Sequence, residues 1–170
     1  MADSEWCHCG GWVEVGRVVG GHVTPRRAGS LEVHPASGLF GSVARHEPKN
    51  PPPNQVDAAV WVDSIQPSLA STALAATTAL VTLTARIYVN AFTEPADGME
   101  IILDETVDAV IDRLSDDFSL AGAADYIDLL GISGSRLGAL KGYVTVGQTV
   151  YRIADILIPV VVHDAWSQAS

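Results

Sequence analysis

Cysteine is scarce in this sequence: 170 residues contain only Cys7 and Cys9. A bridge between residues two apart would be strained, and one disulfide is unusual in a cytosolic chain. Cys7, His8 and Cys9 could bind a metal with His22 or His34, but no second cysteine pair or HxxxH spacing completes a zinc site. We therefore expect no disulfide framework and no bound metal.

Long apolar runs are also missing. The hydrophobic fraction is 48% and the mean hydropathy is +0.22, as in globular proteins. No stretch of about 18 uncharged apolar residues occurs, so we expect no membrane span and no membrane partner. The first residues lack a basic region followed by an apolar core, so we expect no secretory signal and a chain that stays in the cytoplasm.

Basic residues are few, and their distribution matters. The net charge is −10, and residues 1–50 hold five basic and five acidic side chains, so the whole excess lies in residues 51–170. Proteins that bind nucleic acids neutralise the phosphates with lysine and arginine, so this excess of acidic residues disfavours tight binding to nucleic acid. It does not disfavour a surface that DNA slides past, because an acidic wall repels phosphate.

Catalytic and nucleotide-binding motifs are missing as well. Neither GxGxxG nor GxxxxGK[ST] occurs. The stretch 131–135 resembles a nucleophile elbow loosely, but Ser135 stands where that motif needs glycine, and we interpret the stretch as a flexible turn. We expect no catalytic residues, no cofactor and no enzymatic activity.

Beyond a Gly/Pro-rich arm over residues 1–37, the pattern indicates strands. The arm could form a short hairpin around Gly20-Gly21 or stay extended. Leu39–His46 suggests a short strand, and Val56–Ile65 a longer one. Ala79–Val89 is the clearest strand candidate, because apolar and more polar residues alternate from Val81 onward, which is typical of an antiparallel sheet with one buried face.

A helix is predicted to begin after Pro95. Met99, Leu103, Val107, Val110 and Leu114 recur at helical spacing and should pack on the sheet. The opposite face has an acidic row, composed of Glu100, Asp104, Asp108 and Asp112. This row could bind cations, but carboxylates on one helix face are more often simply solvated.

The C-terminal stretch predicts a hairpin, with Gly147-Gln148 as a type II′ turn after Arg136–Val146. Before it, Tyr126–Leu130 predicts another strand. The second hairpin arm, Thr149–Val162, is long and apolar. Pro159 cannot donate to a ladder, so it marks an edge or a bulge, and a bare apolar edge favours an oligomer.

Six residues near this arm are candidates for subunit contacts or assembly. Arg152 and Asp155 could pair on the wet face of the sheet, or could pair between subunits. His163, Asp164 and Trp166 could belong to a site, or could form a polar strand end with the tryptophan covering an edge. The full set is Arg152, Asp155, Pro159, His163, Asp164 and Trp166.

The predicted fold class is α+β: an antiparallel sheet of about four to six strands with one main amphipathic helix packed on one face, ring-forming. We divide the chain into an N-terminal arm, residues 1–37, and one α+β domain, residues 38–170.

A family resemblance rests on short landmarks in a characteristic order. They are Gly38-Leu39-Phe40, His46-Glu47-Pro48, Ala59-Val60-Trp61-Val62, Arg86-Ile87-Tyr88, Glu94-Pro95-Ala96-Asp97, Ile127-Asp128-Leu129-Leu130-Gly131, Gly142-Tyr143-Val144, Tyr151-Arg152-Ile153 and Val162-His163-Asp164-Ala165-Trp166. Over residues 38–168 the sequence resembles the tail terminator proteins of long-tailed siphophages, particularly those infecting actinobacteria. Residues 1–37 depart from that family, because their glycines and Pro35 disfavour the expected N-terminal helix.

The resemblance implies a virion protein, assembled in the host cytoplasm and located at the head–tail junction. It implies a homohexameric ring that stops polymerisation of the tail tube protein and then joins the tail to a head–tail stopper or connector protein. DNA would pass through the lumen without specific binding. Two alternatives stay open: another head–tail joining protein, such as a stopper or adaptor, and a small ligand-binding or enzymatic α+β domain.

Overall fold

Long strands and one helix form the described part of the chain. A computed structural model describes residues 17–19, 22–24, 38–68, 78–92 and 95–166, with backbone alone for residues 17–19, 22–24 and 96–97. The elements in chain order are β1 Arg17–Val19, β2 His22–Thr24, β3 Val43–Ala44, β4 Val56–Pro67, β5 Ala79–Asn90, α1 Ala96–Asp116, β6 Tyr126–Ile127, β7 Gly138–Val146 and β8 Thr149–Val162. No helix among the described residues is long and apolar enough to cross a membrane.

The main sheet is mixed and has six strands. Their order is β3-β4-β5-β8-β6, and β7 also pairs with β8. The expectation of a purely antiparallel sheet is wrong for β3, which runs parallel to β4. The chain travels back through the proline-rich stretch 45–55 before β4 begins, and such a return brings a strand alongside its predecessor in the same direction.

The helix packs on one face of this sheet, as its periodicity predicts. Met99, Leu103, Val107 and Leu114 are buried in the main core, and Val110 packs against it. From the sheet, this core takes the inward residues of β4, β5 and β8, including Leu83, Ile156, Ile158 and Val160. The helix begins directly after Pro95, whose fixed φ suits a helix start.

The opposite face of the sheet is also buried in part, which the alternation in β5 did not indicate. A second cluster holds Ala59, Tyr88, Val146, Tyr151 and Ile153. The rings of Tyr88 and Tyr151 meet edge to face, with centroids 5.8 Å apart. An edge-to-face contact suits the opposite partial charges of ring edge and ring face. The predicted single buried face is therefore incomplete.

The C-terminal hairpin forms as predicted. β7 and β8 pair from Gly138↔Leu157 to Val146↔Thr149. Gly147 has φ +64°, and Gln148 is not among the residues of positive φ, which agrees with a type II′ turn. A Cβ at position 147 would also lie 3.3 Å from Cγ of Pro51, so this turn favours glycine for two reasons.

Two shorter predictions fare differently. The strand expected over Tyr126–Leu130 contains only Tyr126–Ile127. In the arm, β1 and β2 pair antiparallel with Val19 opposite His22, as a short hairpin requires. The other residues of 1–37, including Cys7, His8 and Cys9, lie outside the described residues, so the prediction of no metal there stays a prediction.

Candidate assembly interface

Asp155 lies directly opposite Arg86 across the β5–β8 ladder, on the face away from the helix. Nε of Arg86 donates to Oδ1 of Asp155 at 2.5 Å and Nη2 to Oδ2 at 2.9 Å. Nη1 donates to Glu47 at 2.7 Å, and the guanidinium lies 5.3 Å from the ring centroid of Trp61. The hydrogen bond from Arg86 to Asp155, with the charge of that carboxylate, raises the pKa of Arg86. Asp155 thus joins two strands of one chain.

The two tyrosines beneath this ion pair serve packing. Burial raises the pKa of both Tyr88 and Tyr151, so neither is ionised near pH 7. The hydroxyl of Tyr151 donates to the carbonyl of Pro52 at 3.0 Å, which fixes the proline-rich stretch against the sheet. The hydroxyl of Tyr88 is buried with no hydrogen-bond partner among the described residues.

Arg152 lies on the other face, beneath the helix. Its Nε donates to Oε1 of Glu100 at 2.6 Å and its Nη1 to the carbonyl of Gly142 at 3.0 Å. The guanidinium also lies 4.6 Å from the ring centroid of Tyr143. The hydrogen bond to Glu100 raises the pKa of Arg152. Arg152 therefore ties α1 to the hairpin.

A pairing of Arg152 with Asp155 on one face of the sheet within the chain is thus not what the structure shows, whereas a pairing between subunits stays a prediction. Residues three apart on a strand point to opposite faces, and each has its own partner within the chain. The acidic row of the helix is divided in the same way. Glu100 pairs with Arg152 and Asp104 with Lys141, whereas Asp108 and Asp112 are exposed.

Pro159 is buried in the interior of the sheet, so interpreting Thr149–Val162 as an edge strand is wrong. β8 lies between β5 on one side and β7 and β6 on the other. Pairing with β7 ends at Leu157 and pairing with β6 begins at Val160. The carbonyl of Pro159 accepts from the N–H of Asp128 at 2.8 Å, on the β6 side. Position 159 directs both backbone groups to this side of β8, in the gap between the β7 and β6 pairings. The N–H that proline lacks would therefore have pointed into the gap, and no hydrogen bond to β5 is lost.

His163, Asp164 and Trp166 end this strand. Nδ1 of His163 forms a hydrogen bond with the hydroxyl of Thr78, at 3.0 Å. The backbone N–H of His163 donates to Oδ2 of Asp125 at 2.5 Å. Asp164 is exposed with φ +52°, and Trp166 packs against the main core. These contacts match a polar strand end with a covering tryptophan; a role in subunit contacts stays a prediction.

The loop between β6 and β7 was missed by the sequence interpretation. Asp128 is buried and accepts from the backbone N–H groups of Gly131, Ile132 and Ser133 at 2.8, 2.9 and 2.5 Å. Burial alone would raise the pKa of Asp128, but these three donors outweigh it and the pKa is lowered. The stretch interpreted as a flexible turn is therefore fixed by one carboxylate. An aspartate just before a Gly/Ser-rich stretch was the available signal.

The fixed loop presents two large apolar side chains to solvent. Leu130 is 82% exposed and Ile132 is 81% exposed. Leu129, between Asp128 and Leu130, packs against the main core instead. An exposed leucine or isoleucine by itself is ordinary; two within three residues, on a loop held by a buried charge, mark a candidate contact surface.

The sheet ends in open edges on both sides within the described part of the chain. One edge is the outer side of β7, and the other consists of β3 with the second half of β4. The carbonyl of Val150 accepts from the backbone N–H of Ala91, on the β5 side of β8. Thr145 lies opposite Val150 in the β7–β8 pair. The N–H and C=O groups of Thr145 therefore point away from β8, toward the open edge. Unpaired strand edges are templates for pairing with another chain.

The two edges differ in how they are protected. β4 has a register shift between Val62 and Ser64 and ends at Pro67, and both features discourage edge pairing. β7 has neither, and Leu140 and Tyr143 on it are exposed. The β7 edge is thus the more receptive of the two.

The described residues contain no group of three or more His, Cys, Asp or Glu that could hold a metal ion. Comparison with protein-family models and with curated proteins gives no match to this chain.

Proposed function

We propose that this chain is a structural subunit of a phage tail: a tail terminator that assembles into a hexameric ring. The ring would cap the tail tube, stop its polymerisation and join the tail to the head connector, with DNA passing through its lumen. The sequence landmarks over residues 38–168 support the proposal, and an α+β fold with a six-stranded sheet and one helix is compatible with it.

The observation that carries the proposal is the direction of the two open edges. β4, β5, β8 and β7 alternate in direction, and β3 runs with β4. β3 and β7, at opposite edges, therefore run in opposite directions. When a second copy is placed beside the first in the same orientation, its β3 lies antiparallel to β7. Such head-to-tail contacts close into a ring when the rotation at each step divides a full turn without a rise along the axis, and six copies require about 60° per step.

The use of charge also favours a structural role over a ligand site. Arg86, Arg152 and Lys141 bind carboxylates of their own chain on the two faces of the sheet. These pairs hold strands and helix together, and among the described residues they leave no further set of convergent charged side chains. A small ligand-binding or enzymatic domain has no comparable support among the described residues.

Assembly is tested first with the variant Thr145→Pro. Proline removes one N–H from the open side of β7 and leaves the bonds to β8 intact. We expect the purified wild-type chain to form a species near six times 17.9 kDa by native mass spectrometry and rings in negative-stain images. Thr145→Pro should shift this species toward monomer, whereas the matched control Thr145→Ala, which keeps the N–H, should not.

Function is tested with purified tail tube protein from the same phage. Adding the wild-type chain should shorten the tubes in a concentration-dependent manner, with rings at tube ends in electron micrographs. Rings that leave tube length unchanged but bind the connector would identify a stopper or adaptor. A chain that neither forms rings nor affects tubes contradicts the proposal.

A further inference from the structure

The loop that Asp128 fixes projects from the sheet at a defined position along β8. The strand pairs on either side of it are Ile127↔Val160 and Gly138↔Leu157. The loop therefore projects from the β7/β6 edge in the gap between Leu157 and Val160 of β8. This is the stretch at which Pro159 has no N–H to offer a further strand, so the gap is occupied by a loop and not by a ladder.

The strand pairing shows which residues of β5 and β4 lie in line with this position on β8. The two rows that bracket the loop run from β8 through β5 to β4, as Leu157–Thr84–Trp61 and Val160–Val81–Ile65. The loop and the second half of β4 thus lie on the same rows at opposite edges of one sheet.

The second half of β4 presents two exposed apolar side chains at these rows, among polar neighbours. Val62 and Ile65 are both exposed, Ile65 at 60%. Their backbone edge has no partner strand among the described residues, because β3 covers β4 only at Ala58 and Ala59. The register shift and Pro67 in this half disfavour a strand as its partner. A side-chain contact suits it better than a ladder.

We propose that the loop carrying Leu130 and Ile132 is the apolar contact of the subunit seam, and that it packs on Val62 and Ile65 of the next copy of this chain. The inference rests on the proposed ring. If successive copies continue the sheet without sliding along the strands, β7 meets β3 of the neighbour and the loop meets the second half of its β4. One chain cannot make this contact with itself, because the two patches lie at opposite edges.

The structure also explains why a loop can perform this role. Its backbone is already held by three hydrogen bonds to Asp128, so little conformational entropy is lost when it docks. Burying two large apolar side chains per seam strengthens association roughly tenfold or more for each.

Cross-linking tests the contact directly. In a Cys7→Ser/Cys9→Ser background, one chain carries Leu130→Cys and another carries Ile65→Cys, and the mixture is treated with a short bismaleimide. We expect a covalent heterodimer. Each single-cysteine chain alone should give little product, since head-to-tail copies do not place identical residues together. Phe92→Cys mixed with Ile65→Cys is the matched control: Phe92 is exposed but follows the C-terminal end of β5, away from the rows that contain Val81 and Thr84.

A second measurement uses charge. Leu130→Asp with Ile132→Asp should raise the concentration needed for the oligomer roughly tenfold or more, while Phe92→Asp leaves it unchanged. Both altered side chains are exposed in the monomer, so its thermal unfolding should not change.

The outcomes separate this inference from the ring itself. An oligomer that persists in Leu130→Asp/Ile132→Asp and gives no 130–65 cross-link overturns the inference and leaves the ring standing. Loss of the oligomer without that cross-link also overturns it, because the loop then contacts something other than β4, such as the N-terminal arm. A wild-type chain that stays monomeric at every concentration, and on tails, overturns both proposals.

Discussion

Asp57 and Asp128 are both buried carboxylates, and each fixes a stretch of loop backbone. Asp57 accepts from the hydroxyl of Ser42 at 2.7 Å and from the backbone and side-chain nitrogens of Asn54, each at 2.8 Å. It thereby ties Ser42, before the proline-rich stretch, to Asn54 near its end. Asp128 likewise fixes the loop before β7. A buried carboxylate is stable only when donors replace its hydration, and here backbone N–H groups supply most of them.

Replacing Asp128 by asparagine should be costly. The amide can accept from fewer of the three N–H groups, and its own NH₂ points at donors, so we expect a loss of about 2 kcal/mol in the free energy of unfolding. Urea denaturation measures this. Asp108→Asn, on the exposed helix face, is the control and should change stability by less than about 0.5 kcal/mol. Equal effects at both positions would contradict the role assigned to Asp128.

The same substitution has a pH signature. The pKa of Asp128 is lowered in the folded chain, so its contribution to stability is fully present above the unfolded value of about 3.9 and is lost as the pH falls through the folded value. The stability difference between wild type and Asp128→Asn should therefore be constant near neutrality and shrink below about pH 4. A difference independent of pH in that acid range would show that the charge is not responsible.

At the scale of elements, the helix is held to the sheet by one apolar stripe and a flanking ionic contact. Leu103 is completely buried at the centre of that stripe, and the Arg152–Glu100 pair lies at its side. The apolar stripe could be predicted locally, since helical periodicity fixes which side chains share a face. The partner of Arg152 could not be predicted, because it lies 52 positions away in the chain.

Leu103→Ala should therefore destabilise the protein by about 2–5 kcal/mol, since it removes buried methyl groups and leaves a cavity. Ile101→Ala is the matched control: Ile101 is two positions away on the same helix but exposed, and its truncation should cost less than about 0.5 kcal/mol. Unfolding midpoints in urea, with unchanged slopes, measure both. A similar loss at both positions would mean that the helix is turned differently on the sheet.

At the scale of the whole molecule, the net charge of −10 opposes self-association. Adjacent copies repel through the exposed carboxylates, whereas the proposed seam is apolar, so salt should help assembly. The Debye length falls from about 10 Å at 0.1 M to about 3 Å at 1 M. We expect the ratio of oligomer to monomer, measured by analytical ultracentrifugation, to rise with sodium chloride over this range. A ratio that falls would indicate that ion pairs, and not apolar side chains, hold the seam.

The sequence by itself determined the features that depend on neighbours within one element. It predicted α1 from helical spacing, β5 from alternation and the β7–β8 hairpin from Gly147, because backbone geometry fixes side-chain period and turn type locally. It also predicted the α+β class with one helix on one face of the sheet.

Only the tertiary structure decided which distant residues meet. It made β8 an interior strand, gave β3 its parallel direction and assigned Arg152 and Asp155 to separate partners on opposite faces. It also turned a Gly/Ser-rich stretch into a loop fixed by Asp128. These outcomes depend on strand order and register, which are set when long-range burial and hydrogen bonding are satisfied together. A single sequence records the periodicity of each strand but not which strand lies beside it.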